Sequence, residues 1–276
     1  MLIAVCSLKS SPGVTTLATA LGARWPQQKN PILVELDPAG GDLMTRFRLP
    51  DAPGLVTLAA AARGRGGRDT NLLAQHTQQL PGGLRVVLGP VGAEQTRAAL
   101  SVLAPGASSP FRRAADQPGT TVIADCGRVD PDSPALPIIR SADAMLLVAR
   151  PHDDELAHVA LKLHAAQRWS RKPCFVLVGD GYPTKEVCQA LNIPVMGRVP
   201  LDAKGAAVLC GQGNGRPSPT RSALGRAAAR IALTAYATFH TSRATAPGPR
   251  PSRLYLAVPV STDGAVGPHT RNGATS

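Results

Sequence analysis

The residues best placed to do chemistry stand in one octapeptide, Lys9-Ser10-Ser11-Pro12-Gly13-Val14-Thr15-Thr16. It follows the apolar run Leu2–Leu8 and precedes Leu17 to Ala23, which reads as a helix. A strand, a tight loop and a helix N-terminus gather unpaired backbone N–H groups and the positive end of a helix dipole at one spot. That is a place for phosphate. The common phosphate-loop spacing sets a lysine directly before the Ser/Thr pair, and Val14 stands there. The pattern therefore predicts a phosphate site without its main lysine. Other chemistry-bearing residues follow further apolar runs: Asp37 after Ile32–Leu36, Asp125 at the end of Thr120–Ala124, and the stretch Val178-Gly179-Asp180.

These residues need elements to position them, and the hydropathy pattern supplies them in alternation. Strands are predicted at 2–8, 32–36, 84–88, 120–125, 144–148, 174–178 and 195–199. Helices are predicted at 17–23, 55–62, 94–103, 153–169, 185–191 and 222–240, and loops at 63–68 and 105–110. The helix 153–169 sets Leu156, Val159, Ala160, Leu163 and Ala166 on one side at helical spacing. Runs apolar on both faces, alternating with helices, mean an α/β protein with a mostly parallel central sheet and helices on both faces. In such sheets ligands bind beyond the carboxyl ends of the strands. Lys9, Asp37, Asp125 and the Val178-Gly179-Asp180 stretch all follow strand ends, which predicts one shared site.

At 276 residues and 43% hydrophobic composition the chain can bury one sizeable core. Only 3% of residues are aromatic, which argues against a base-stacking platform. The five cysteines form no C-x-x-C pair, and Cys6, Cys126 and Cys174 lie in or beside strand-like runs, as reduced, buried thiols do. No secretory pattern opens the chain and no run reaches membrane-spanning length, so a cytoplasmic protein without membrane insertion is expected. His152, His158 and His164 recur every six residues, which spreads them around a helix rather than gathering a metal site. Residues 1–202 hold 21 Lys and Arg against 17 Asp and Glu, whereas 203–276 hold nine against Asp263 alone. Such a basic end can attract nucleic acid or anionic lipid, and it equally serves solubility. Residues 241–276 read as a disordered tail rich in Pro, Gly, Ser, Thr and Ala, interrupted by the apolar island Leu254–Val260.

Taken together, five ordered blocks resemble the MinD/ParA family of deviant-Walker ATPases over about residues 1–240. Lys9 to Thr16 aligns without a gap with the family loop K-G-G-x-G-K-T-[ST], matching at Lys9, Gly13, Thr15 and Thr16 and departing at Ser10, Ser11 and Val14. Glu35 to Asp42 resembles the D-x-D-x-x-G stretch, and Val122 to Gly127 the Walker B strand. Asp143 to Pro151 is similar to the A-D-x-x-(apolar strand)-x-x-P block, and Pro194 to Asp202 to the late P-(V/L)-x-G-x-I-P-x-D block. The resemblance implies a P-loop NTPase fold of the SIMIBI kind, with a disordered C-terminal tail beyond residue 240. It implies ATP or ADP with Mg²⁺ as cofactors, held by Ser11, Gly13, Thr15 and Thr16 of the loop, with Pro200 and Asp202 near the base. Asp125 and Thr15 would serve the metal, and Asp37 would position the attacking water. Lys9 would reach the neighbouring subunit's site in a nucleotide-dependent homodimer.

Family members act in partition, septum placement and pilus or secretion-system placement. Degenerate phosphate loops make the TadZ/CpaE branch a natural comparison. Val14 removes the cation that normally neutralises charge on the β- and γ-phosphates, and one such preorganised group is typically worth about 10²–10³ in rate. Binding with weak or no hydrolysis is the resulting expectation. Its alternatives are a pseudo-ATPase scaffold for an unidentified protein partner and a ParA-like protein that binds DNA nonspecifically. Gly179-Asp180 stand where the family often carries an adenine-reading Asn.

Overall fold

The computed structural model describes residues 1–26, 30–64, 69–104, 109–170, 172–212 and 220–244. Within them the strands are β1 Leu2–Ser7, β2 Asn30–Glu35, β3 Gln78–Gln79, β4 Arg85–Val87, β5 Thr120–Arg128, β6 Ala144–Ala149, β7 Pro173–Val178 and β8 Val195–Val199. They form an eight-stranded sheet in the order β3-β4-β2-β5-β1-β6-β7-β8. Only β3 runs antiparallel to its neighbour. The helices are α1 Val14–Ala23, α2 Leu43–Phe47, α3 Leu55–Arg63, α4 Leu72–Gln75, α5 Ala93–Leu103, α6 Pro110–Asp116, α7 Leu136–Ser141, α8 Asp153–Trp169, α9 Thr184–Leu191, α10 Ala203–Leu209 and α11 Ala223–Ala244.

Alternation along β1 assigns the two helical layers. Leu2, Ala4, Cys6 and Leu8 face Leu55 and Leu58 of α3, Leu100 of α5, Phe111 of α6, Ile138 of α7 and Val159 of α8. Ile3 and Val5 face the other way, with Leu17 and Leu21 of α1, Leu43 of α2, Leu209 of α10 and Ile231 of α11. Every residue of β1 is therefore buried. The start of β1 is tied to the start of β6 by Asp143, whose carboxylate accepts from the Leu2 N–H at 2.7 Å and pairs with Arg112 at 3.1 Å.

The sheet, its direction and the two-sided cover match the sequence reading, with three differences. First, β5 runs three residues past Asp125. The register with β1 shifts between Val5↔Asp125 and Ser7↔Arg128, so β5 carries one extra residue and bulges. Second, α2, α4, α6, α7 and α10 and the short β3 stand where no element was expected. Pro110 opens α6 rather than closing a loop, its fixed φ suiting a first helical turn. Third, α11 continues to Ala244 past the expected end at His240. Along α8, Val159, Leu163 and Ala166 are buried but Ala160 is exposed. The chain divides into a compact unit, Met1–Ala244, and a second, Thr245–Ser276. The second unit, with its apolar island, lies outside the described residues, as do residues 65–68 and 105–108 of the expected loops.

Candidate functional site

The octapeptide leaves β1, which lies between β5 and β6, and turns directly into α1. Gly13 sits at the helix N-terminus with φ 95°, a left-handed backbone that glycine adopts without steric cost. Ser10 is also left-handed, at φ 56°, although it carries a side chain. Ser10 is one of the two loop positions where serine replaces a glycine of the family motif. Two side chains steady the loop from outside. Ser7 Oγ donates to the Ser10 carbonyl at 3.3 Å, and Lys162 Nζ, from α8, donates to the Leu8 carbonyl at 2.9 Å.

Beyond the strand ends lies a polar cavity of about 690 Å³, lined by Ser11, Gly13, Val14, Thr15, Thr16 and Asp37 and by Arg46, Arg97 and Arg128. Asp125, 1% exposed, lies behind this lining, and the Thr15 hydroxyl hydrogen-bonds to its carboxylate. Burial pushes the Asp125 carboxyl up to about 7, against the Thr15 bond, with Glu35 adding like charge. Burial raises Asp37 as well, opposed by the Ala39 N–H that its Oδ1 accepts at 2.8 Å. Gly127, at φ 58°, faces Asp37 so closely that a Cβ there would lie 2.0 Å from the carboxyl carbon. Only glycine leaves room for Asp37 in this position.

Glu35 is a positioning residue that sequence reasoning passed over. It is 2% exposed, and its carboxylate accepts the N–H groups of Asp42 and Leu43 at 2.9 Å each and of Gly89 at 3.0 Å. It thereby closes the loop that carries Asp37. The signal was one acid in an otherwise apolar strand. Arg128 was also missed, three residues beyond Asp125.

A second, mainly apolar cavity of about 380 Å³ adjoins the first, lined among others by Pro12, Leu17, Val178, Val199, Pro200, Leu201 and Asp202. Gly13 and Thr16 line both cavities. Pro200 and Asp202 both line this cavity, and the Asp202 carboxylate is already engaged. It accepts from Gly205 N–H at 2.8 Å and Leu224 N–H at 3.0 Å, capping α10 and α11, and these bonds hold its carboxyl below the usual range. Gly179 and Asp180 do not line the apolar cavity. Lys9 is half-buried and is not part of the polar lining. It makes no hydrogen bond or ion pair among the described residues.

The residues present fit a nucleotide with a hard divalent cation. The two cavities offer a polar end and an apolar end joined at the phosphate loop. Thr15 and Asp125 are oxygen donors of the kind Mg²⁺ takes when phosphates and water complete its shell. Among the described residues no cluster of three or more His, Cys, Asp or Glu forms a metal cage of its own. Burial raises the thiols of Cys6, to about 12, and of Cys126, so neither supplies a thiolate nucleophile.

A phosphate-type loop after a central strand of a parallel sheet, with an acid within the adjacent strand β5 and another just after β2, defines a P-loop α/β fold. No protein-family model matches the sequence, and no curated protein does. Solved structures do match. A ParA family ATPase from Chlorobium tepidum TLS has a TM-score of 0.65 at 17% identity, over 84% of this chain and 97% of that one. The septum site-determining protein MinD from Pyrococcus horikoshii OT3, complexed with Mg-ADP, gives 0.61 at 16%, over 84% and 93%. A Cyanothece McdA–ATP complex gives 0.61 at 14%, over 86% and 95%. The chain has the fold of the MinD/ParA-family ATPases.

Proposed function

We propose that the chain binds a nucleoside di- or triphosphate with Mg²⁺ and, in that state, pairs with a second copy of itself to position or regulate a cellular assembly. Partition, septum placement and pilus or secretion-system placement are the processes in view, and the cytoplasm is the compartment. The carrying observation is that the polar and apolar cavities meet at Gly13 and Thr16, beside the Thr15–Asp125 bond. The MinD–Mg-ADP and McdA–ATP complexes support the ligand class. A MinC:MinD complex from Aquifex aeolicus supports a protein partner. Lys9, standing outside its own cavity with no described partner, suits a role in the facing subunit.

Turnover is weak in this reading, because Val14 places a buried, uncharged side chain where transition-state charge needs a cation. The same observation favours a second reading, a scaffold that has given up hydrolysis and recruits its partner through its surface. A ParA-like nonspecific contact with DNA rests on the basic charge of residues 203–276. Titration with fluorescent ATP and ADP in Mg²⁺, with phosphate release followed in parallel, tests the proposal. Binding at or below millimolar concentration is expected, with Val14→Lys releasing phosphate about 10²-fold faster than wild type. Absence of binding at millimolar nucleotide would remove the nucleotide reading. Equal rates in wild type and Val14→Lys would remove the account of weak turnover.

A further inference from the structure

The polar cavity carries the cations that the phosphate loop lacks, and they come from elsewhere in the chain. Arg46, Arg97 and Arg128 line it together with Gly13, Thr15 and Thr16. Two of the three have a partner within the protein through part of the guanidinium, Arg46 keeping an unpartnered Nη1. Arg46 Nη2 pairs with Asp42 at 2.6 Å, and Arg97 Nε donates to the Pro38 carbonyl at 3.3 Å. Arg128 is exposed and makes no hydrogen bond or ion pair among the described residues; its positive charge acts on the Asp37 carboxyl. Its backbone is nevertheless fixed. Arg128 sits opposite Ser7 in the sheet, and the next N–H, of Val129, donates to the Ser7 carbonyl at 2.8 Å. Ser7 ends the strand from which the phosphate loop departs, so Arg128 is anchored at the loop's root. The bulge in β5 and the left-handed Gly127 set this register.

We propose that Arg128 is a phosphate-binding residue of this site, supplying from the end of β5 the positive charge that Val14 no longer supplies from α1. The inference rests on the nucleotide reading above. A guanidinium is suited to the task, since it stays charged at any physiological pH and its planar fork matches two phosphate oxygens. It also balances a cavity whose lining includes Asp37, Asp42, Asp130 and Asp132, which would otherwise repel a polyphosphate. A cation at the end of a strand approaches the phosphates from a different side than one on the first turn of a helix. Affinity can thereby be restored while charge stabilisation along the breaking bond is not, which reconciles binding with weak turnover.

Equilibrium titration of the full chain with fluorescent ATP and Mg²⁺ tests this. Arg128→Ala is expected to weaken ATP binding by about 10- to 100-fold, the worth of a charge-assisted contact. Arg128→Lys keeps the charge and is expected to recover part of the loss. The double variant Val14→Lys/Arg128→Ala, with the cation returned to the helix, is expected to bind at least tenfold more tightly than Arg128→Ala alone. Thermal unfolding without nucleotide should be unchanged in Arg128→Ala and in a companion Arg128→Gln, which separates binding from folding. If wild type binds ATP and Arg128→Ala binds within threefold of it, the assignment of Arg128 fails and the nucleotide reading stands. If wild type binds no nucleotide, both fail.

Discussion

Asp125 has almost no contact with solvent, and its carboxyl titrates near 7 because burial disfavours the charged form and Glu35 and Asp37 add like charge. The folded chain holds this proton more tightly than the unfolded chain, whose carboxyl titrates at about 4. The stability it confers is therefore full below about pH 4 and is lost as the pH rises through about 7. In chelator and without nucleotide, wild type should lose up to about 4 kcal/mol from this group across that window. Asp125→Asn should remove that share of the slope. Urea denaturation of both proteins from pH 4 to 8 gives the difference directly, and parallel profiles would contradict it. Thr15, Asp37 and Asp125 were legible as members of recognisable blocks, although Asp125 lies within β5 rather than after its end. Glu35 and Arg128 were not. The role of Glu35 lies in backbone N–H groups that only the folded loop and β4 bring to it, and the placement of Arg128 in a bulge that apolar periodicity does not reveal.

At the scale of elements, the long strands and helices were legible because continuous apolar runs and helical spacing survive over five or more residues. The helices α2, α4, α6, α7 and α10 span four to seven residues, too few turns to display a period. α10 shows what holds such an element in place. Asp202 caps it and α11 together, so one carboxylate fixes the entry of two helices beside the apolar cavity. Asp202→Ala should cost about 1–2 kcal/mol, the usual worth of a lost cap, raised here because two helix ends lose a partner. Asp202→Asn should retain much of it. Chemical denaturation distinguishes the two, and an Asp202→Ala protein as stable as wild type would show that the caps are incidental. Because the Asp202 carboxyl is held below its usual range, its contribution is present near neutrality and lost as the pH falls through that lowered value.

For the whole molecule, the sheet gathers at one end a loop, two carboxylates and a shared pair of cavities, while leaving Lys9 outside its own polar lining. If Lys9 serves a facing copy, its removal should uncouple assembly from binding. In sedimentation, wild type is expected to form dimers with ATP and Mg²⁺ and to remain monomeric without them. Lys9→Ala is expected to stay monomeric under both conditions while binding ATP within about threefold of wild type, since a contact made only across the interface adds to assembly alone. A Lys9→Ala protein that dimerises with ATP would contradict this. The order of the strands has a further consequence. β1 pairs only with β5 and β6, so the strand from which the phosphate loop departs has no partner until residues 120–149 exist. At about 5–20 residues per second of synthesis, β1 waits on the order of ten seconds as an unpaired apolar segment. Long-range parallel pairing of this kind is slow to form and exposes strand edges meanwhile. β1 is thus synthesised well before the two strands that flank it, and its own sheet cannot cover it in the interval.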